Sequence, residues 1–286
     1  VFSEEGGFTA CLSNSAREWE KTCAEELKRV KERTAGLIAN DAVKRERKAL
    51  EKEISKYVIQ VSATKEQIMA KSGDIIRLIQ SRCSDDVLRA YALDVLATKV
   101  MRQCGVQVAR MHEYAFALAE VVVHVMSAFP EFANILAGHL HQECILTVPK
   151  YYVFRAGSDD DAYLSRMGYK ENPEEERQDK GRWESTDDFL FRSMGFVLLY
   201  AAVTQVDIEP HPHGLGHAWK YVARLLNSLP ANRTTASALH AFLKVTGFKM
   251  YFAYKSQFLK LLEYVRDEFL PVLEKLNDPD SRAVHS

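Results

Sequence analysis

Apolar residues recur at the 3.6-residue spacing of an α-helix along almost the whole chain, and no stretch shows sustained two-residue alternation bounded by turns. From Ala16 to Tyr57 the pattern is charged and helical. Residues 63–82 carry Ile68, Met69, Ile75, Ile76 and Ile79, and residues 85–104 carry Val87, Leu88, Tyr91, Leu93, Val95, Leu96 and Val100. The segment 113–129, EYAFALAEVVVHVMSAF, is apolar nearly all round, which predicts a central helix. Pro130 and Pro149 bracket a further helix. Helical patterns resume at 188–206, 214–228 and 234–275, with a bend expected near Gly247 and an interruption at Pro271. The pattern predicts an all-α fold, an irregular helical solenoid or bundle.

Two segments break the pattern. Residues 1–15 read as a flexible leader before a single helical domain spanning 16–286. Residues 155–188 are rich in acids, with Gly, Pro, Ser and Asn interspersed. They read as a partly disordered insertion around a short AYLSRMGY turn of helix. Three consecutive aspartates, Asp159 to Asp161, lack the alternate ligands, central glycine and closing glutamate of an EF-hand.

The composition is that of an ordinary globular chain. Its 286 residues, 47% apolar and 27% charged, suffice for a continuous core. With 38 basic and 39 acidic residues there is no global field to attract nucleic acid, so charge-driven function needs local segregation. Ala16–Tyr57 has such a bias, with twelve basic against nine acidic residues, concentrated in KRERKALEKEISK. That segment reads either as a solvated helix laced with i,i+4 pairs or as a functional basic surface. Five cysteines without CxxC spacing point to reduced thiols. The longest apolar run, Phe196–Val203, falls well short of the roughly 20 residues needed to cross a bilayer, so no membrane insertion is expected.

No phosphate-cradling GxxxxGK[ST], nucleophile elbow GxSxG or HExxH spacing occurs. The one candidate centre is EPHPHGLGHAW, with His211, His213 and His217. If Pro212 takes the first helical position, His213 and His217 share one face at i and i+4. A zinc site needs at least a third protein ligand, and only Glu209 and His211 are near. The competing reading is a helix start, with Leu215, Trp219, Val222, Leu225 and Leu226 along one packing face and Gly214 and Gly216 permitting close approach. His124 reads as a satisfied core histidine, and His139 and His141, two apart, point to different faces.

Five segments occur in a telling order: LAGHLHQECILTVP (136–149), YLSRMGY (163–169), LYAAVTQ (199–205), HPHGLGHAWKYVARLLN (211–227) and FLPVLEKL (269–276). Together they resemble the C-terminal domain of the GLE family of nuclear-pore mRNA export factors. The resemblance extends more weakly to about residue 20 through KEISKYVIQVSATKEQI. It implies an all-helical, HEAT-like repeat domain akin to the middle domain of translation-initiation scaffolds. It implies a non-enzymatic activator that binds both RecA-like lobes of a DEAD-box RNA helicase at the cytoplasmic face of the nuclear pore. There it favours an open arrangement and promotes RNA release and turnover. A Phe-Gly nucleoporin docks elsewhere through a short motif.

Fungal members of that family bind inositol hexakisphosphate as a bridge to the helicase. A ligand so charged needs converging cations. On the resemblance, the candidates here are Lys48, Lys52 and Lys56, one turn apart on one helix face, with Lys99 and Arg102 from a later helix. Relatives commonly carry a Lys-Lys pair before the cysteine of the HLHxxC motif, whereas this chain has Gln142 and Glu143. The alternative is a helical scaffold in translation or RNA processing, since one fold hosts many partners.

Overall fold

A computed structural model describes residues 2–5, 7–108, 111, 113–154 and 159–276. The architecture is all-α with one small sheet. Its helices are α1 (Asn14–Ala39), α2 (Lys44–Ile59), α3 (Lys65–Arg82), α4 (Asp86–Gln103), α5 (Tyr114–Ala128), α6 (Phe132–Glu143), α7 (Asp160–Met167), α8 (Arg177–Lys180), α9 (Thr186–Gln205), α10 (Leu215–Ser228), α11 (Arg233–Tyr254), α12 (Ser256–Tyr264) and α13 (Leu270–Lys275). Side-chain caps set several starts. Ser13 accepts from Ala16 N at 3.1 Å, and Asp85 accepts from Leu88 N at 2.8 Å. At α11, Asn232 and Thr235 cap each other's backbone reciprocally.

Packing follows the apolar pattern. α5, buried through Ala115, Leu118, Val121, Val122 and Val125, packs between α3 and α9. α9 carries the core onward to α10 and α11. α4 joins α1, α2 and α6 on the other side. One hydrophobic cluster runs continuously from α1 to α13. α1 and α6 approach closely at Gly138, where a Cβ would lie 2.6 Å from Leu27. Among the described residues, no helix is long and apolar enough to cross a membrane.

The leader is corrected by the structure. Phe2–Glu5 (β1) and Phe8–Cys11 (β2) form an antiparallel hairpin, and β2 pairs with Tyr151–Val153 (β3). Both faces of β2 are buried, so no polar–apolar alternation exists to reveal it. Phe8, Ala10 and Leu12 join Val148, Tyr152, Met167 and Phe189 in a second, smaller cluster. Beside it the Lys150 ammonium meets Glu5 at 2.8 Å and Glu20 at 3.2 Å. Burial opposes its charge, but the hydrogen bond it donates to Glu5 and the nearby carboxylate of Glu20 outweigh it and raise its pKa.

The acidic insertion also has more structure than its composition predicts. Residues 155–158 lie outside the described residues. Beyond them, Asp159 caps α7 by accepting from Asp161 N at 2.9 Å, which gives the aspartate run a local structural role. Arg182 pairs with Glu171 at 2.7 Å and with Asp161, while Trp183 donates its indole N–H to Asp161 at 2.7 Å. Tyr169 stacks on Phe189 at 4.1 Å. The segment's own arginines and aromatics neutralise and anchor the acids that suggested disorder.

Two boundaries shift. α11 runs straight through Gly247, and the break falls at Lys255, whose φ is +47°. Pro212 precedes the helix rather than opening it. α10 begins at Leu215 after Gly214, which has extended backbone.

Candidate functional site

Leu50, Ile54 and Val58 form the buried stripe of α2 and seat it against α4. The helical period then turns Lys48, Lys52 and Lys56 to the surface. On α4, the buried Leu96, Ala97 and Val100 fix the rotation that presents Lys99 beside them. The result is an open groove of about 480 Å³ lined by Lys48, Glu51, Lys52, Ser55, Lys56, Ile59 and Lys99. Four of the five cations expected from the sequence therefore meet. Arg102, one turn further along α4, is exposed and does not line the groove.

Among the described residues, none of the four groove lysines forms an ion pair. Nearby cations differ. Lys44 meets Asp41 at 3.2 Å, and Arg82 meets Glu53 at 2.8 Å. Four unpaired ammonium groups from two helices make a concave cationic surface suited to a multiply charged anion.

Glu51, Ser55 and Ile59 were not anticipated as lining residues. Helical spacing could have found them, since positions 51, 55 and 59 form the ridge adjacent to 48, 52 and 56. Glu51 accepts a hydrogen bond from the Tyr91 hydroxyl. Burial, and then that bond, raise the pKa of Tyr91, so its hydroxyl stays a donor at neutral pH. At the end of α6, Glu143 pairs with Lys170 of the insertion at 3.1 Å. The Glu143 carboxylate is thus itself partnered.

The histidine segment forms a different kind of site. His213 is buried, and its ring stacks on His217 at 4.5 Å with the planes 9° apart. Trp19 lies between His141, edge-on at 4.3 Å, and His213 at 5.8 Å. His211 places Nε2 2.8 Å from Val203 O and accepts from His213 N at 3.2 Å. Burial, reinforced by neighbouring cationic and imidazole groups, lowers the pKa values to about 3 for His141 and His213 and about 4 for His217. All three are neutral in the folded state at pH 7. Among the described residues, no group of three or more His, Cys, Asp or Glu side chains is disposed to hold a metal.

Gly216 has open space where a Cβ would stand, so it serves no close approach. His124 is only half-buried, and its Nε2 has no hydrogen-bond partner among the described residues, contrary to the satisfied core histidine expected. His139 faces away from His141 and lies 2.8 Å from Asp94.

A family model described as GLE1-like protein matches residues 21–266. The chain belongs to the GLE1-like family. It is similar to mRNA export factor GLE1 of Arabidopsis thaliana, 33% identical over 237 residues, covering 80% of this chain and 33% of that protein. The Rattus norvegicus mRNA export factor GLE1 is 33% identical over 187 residues, covering 63% of this chain and 26% of that protein. The Saccharomyces cerevisiae factor is 23% identical over 219 residues, covering 73% and 39%. The chain thus spans about a third of the length of the curated relatives it matches. Among solved structures, it resembles a chain in the S. cerevisiae complex of a variant Dbp5 C-terminal domain bound to Gle1 and IP6. The TM-score is 0.81 at 18% identity, covering 95% of this chain and 92% of that one. At that identity the likeness establishes the all-α fold.

Proposed function

We propose that this chain is the part of a nuclear-pore mRNA export factor that binds and activates a DEAD-box RNA helicase, with inositol hexakisphosphate as the bridging ligand. The observation that carries the reading is the groove. A family member presents four lysines without ion-pair partners among the described residues, Lys48, Lys52, Lys56 and Lys99, around one concavity. The related solved complex pairs Gle1 with Dbp5 and IP6, which supports the same ligand class here. Six phosphate groups outnumber the four lysines, so a ligand seated in the groove keeps phosphates free for a second protein. Arg102, outside the groove but on the same helix, is proposed as an outer contact to the ligand.

The chain performs no chemistry of its own in this reading. It binds the open arrangement of the helicase better than the closed one. It can shift that equilibrium only by the difference in affinity. The consequences are faster RNA release and faster ATP turnover. The place of action is the cytoplasmic face of the pore. A Phe-Gly nucleoporin motif is the second partner. The apolar surface of α11 and α12, with Phe248, Phe252 and Leu259 exposed, supports such a contact.

The test is the RNA-dependent ATPase of the purified cognate helicase, with and without inositol hexakisphosphate. The expected result is stimulation by this chain, larger with the polyphosphate. No stimulation under either condition overturns the proposal.

A further inference from the structure

We propose that Glu51 is a built-in counter-charge that holds the affinity of the lysine groove down and makes its grip on a polyphosphate reversible. The proposal deepens, and rests on, the reading of this groove as a polyphosphate site. Glu51 lines the same concavity as Lys48, Lys52, Lys56 and Lys99. A carboxylate among cations would ordinarily pair with one of them, yet it forms no ion pair with any of the four among the described residues. The Tyr91 hydroxyl of α4 donates to it instead. Tyr91 is itself buried and lies under the Arg47 guanidinium at 6.0 Å, so the clamp is anchored in the α2–α4 packing. The carboxylate cannot swing out to solvent without giving up that bond. A polyanion entering the groove therefore meets one fixed negative charge beside four positive ones.

The physical consequence is discrimination by charge density. Each phosphate brought into the groove is attracted by four lysines and repelled by Glu51, so removing the carboxylate strengthens binding most for the ligand with the most phosphates. Glu51 thus narrows the groove's preference for the most highly phosphorylated ligands and speeds their release.

Calorimetric titration of Glu51→Gln with inositol hexakisphosphate and with an inositol trisphosphate tests this. The glutamine carbonyl still accepts from Tyr91, so the fold is kept. The hexakisphosphate should bind roughly threefold to tenfold tighter at low salt. The trisphosphate should gain less, and both gains should shrink in 0.5 M salt on the order expected from screening. Glu51→Asp, which keeps the charge, should stay near the wild-type affinity. Unchanged or weaker hexakisphosphate binding by Glu51→Gln overturns the proposal. So does an equal gain for both ligands, which would assign Glu51 a role in shape. If the wild type binds hexakisphosphate but Glu51→Gln gains nothing, only this inference fails. If neither protein binds it, the reading of the groove fails as well.

Discussion

The lysine groove and the histidine cluster start from the same sequence device and end as different things. Lys48, Lys52 and Lys56 recur every four residues, and so do His213 and His217. Each set lies along one helix face or its approach. The lysines stand opposite a buried stripe and face solvent, with no ion-pair partner among the described residues. His213 stands on the packing side against Trp19, with His217 stacked on it, and burial lowers the pKa values of both. Spacing brings like residues together. Burial decides whether the group becomes an exposed cationic surface or part of the core.

Four measurements would break or sharpen that contrast. The largest effect is expected for Trp19→Ala, which removes the ring that joins His141, His213 and Tyr200. It should cost about 3–5 kcal/mol in urea denaturation and leave polyphosphate affinity intact in the folded protein. A loss below about 1 kcal/mol would mean that the cluster is not core.

Acid comes next. The folded-state pKa values of His141, His213 and His217 lie below the unfolded value of 6.5, at about 3, 3 and 4. The unfolded chain therefore takes up protons first. The stability these groups contribute is fully present above pH 6.5 and is lost as pH falls from there towards 3. Roughly 1–2 kcal/mol for each of the deeply buried His141 and His213, and less for the partly exposed His217, should be gone by pH 5, read as a drop in the urea midpoint. His141→Phe should flatten that slope. A midpoint unchanged between pH 7 and pH 5 would contradict neutral burial.

On the groove, Lys52→Gln with Lys99→Gln should weaken inositol hexakisphosphate about tenfold to a hundredfold, with stability changed by less than about 0.5 kcal/mol. Nucleoporin-motif binding should be unaffected. Unchanged calorimetric affinity for the polyphosphate would reject these residues as the contacts. The smallest effect is expected for Arg102→Gln. It stands outside the groove, so affinity should fall less than about threefold, as for a screened surface charge. A loss as large as that of the lysine pair would move the site along α4.

Much of this was legible in the residues. The run of apolar positions in EYAFALAEVVVHVMSAF announces a central helix, and α5 is one. Four groove lysines could be named because one helical period placed three of them, and the family resemblance pointed to Lys99. Other features left no local trace. The β2 strand hides its period because both faces are buried. The fold of the acidic insertion depends on pairs such as Arg182 with Asp161 and Glu171, which lie 21 and 11 residues apart. The clamp on Glu51 leaves none either, because its partner, Tyr91, is 40 residues away on another helix.

Composition and periodicity by themselves therefore determined the helical class, the faces that must be buried and the lysines that must be exposed. These depend on interactions within a few turns, where the 3.6-residue period dictates neighbours. Tertiary structure alone decided that Lys99 meets α2, that Arg102 does not line the groove and that Glu51 is clamped within it. It also decided that His141 joins Trp19 and His213. Those outcomes depend on the rotation of one helix against the next. That rotation is set by buried side chains such as Leu96 and Val100 filling the space between helices.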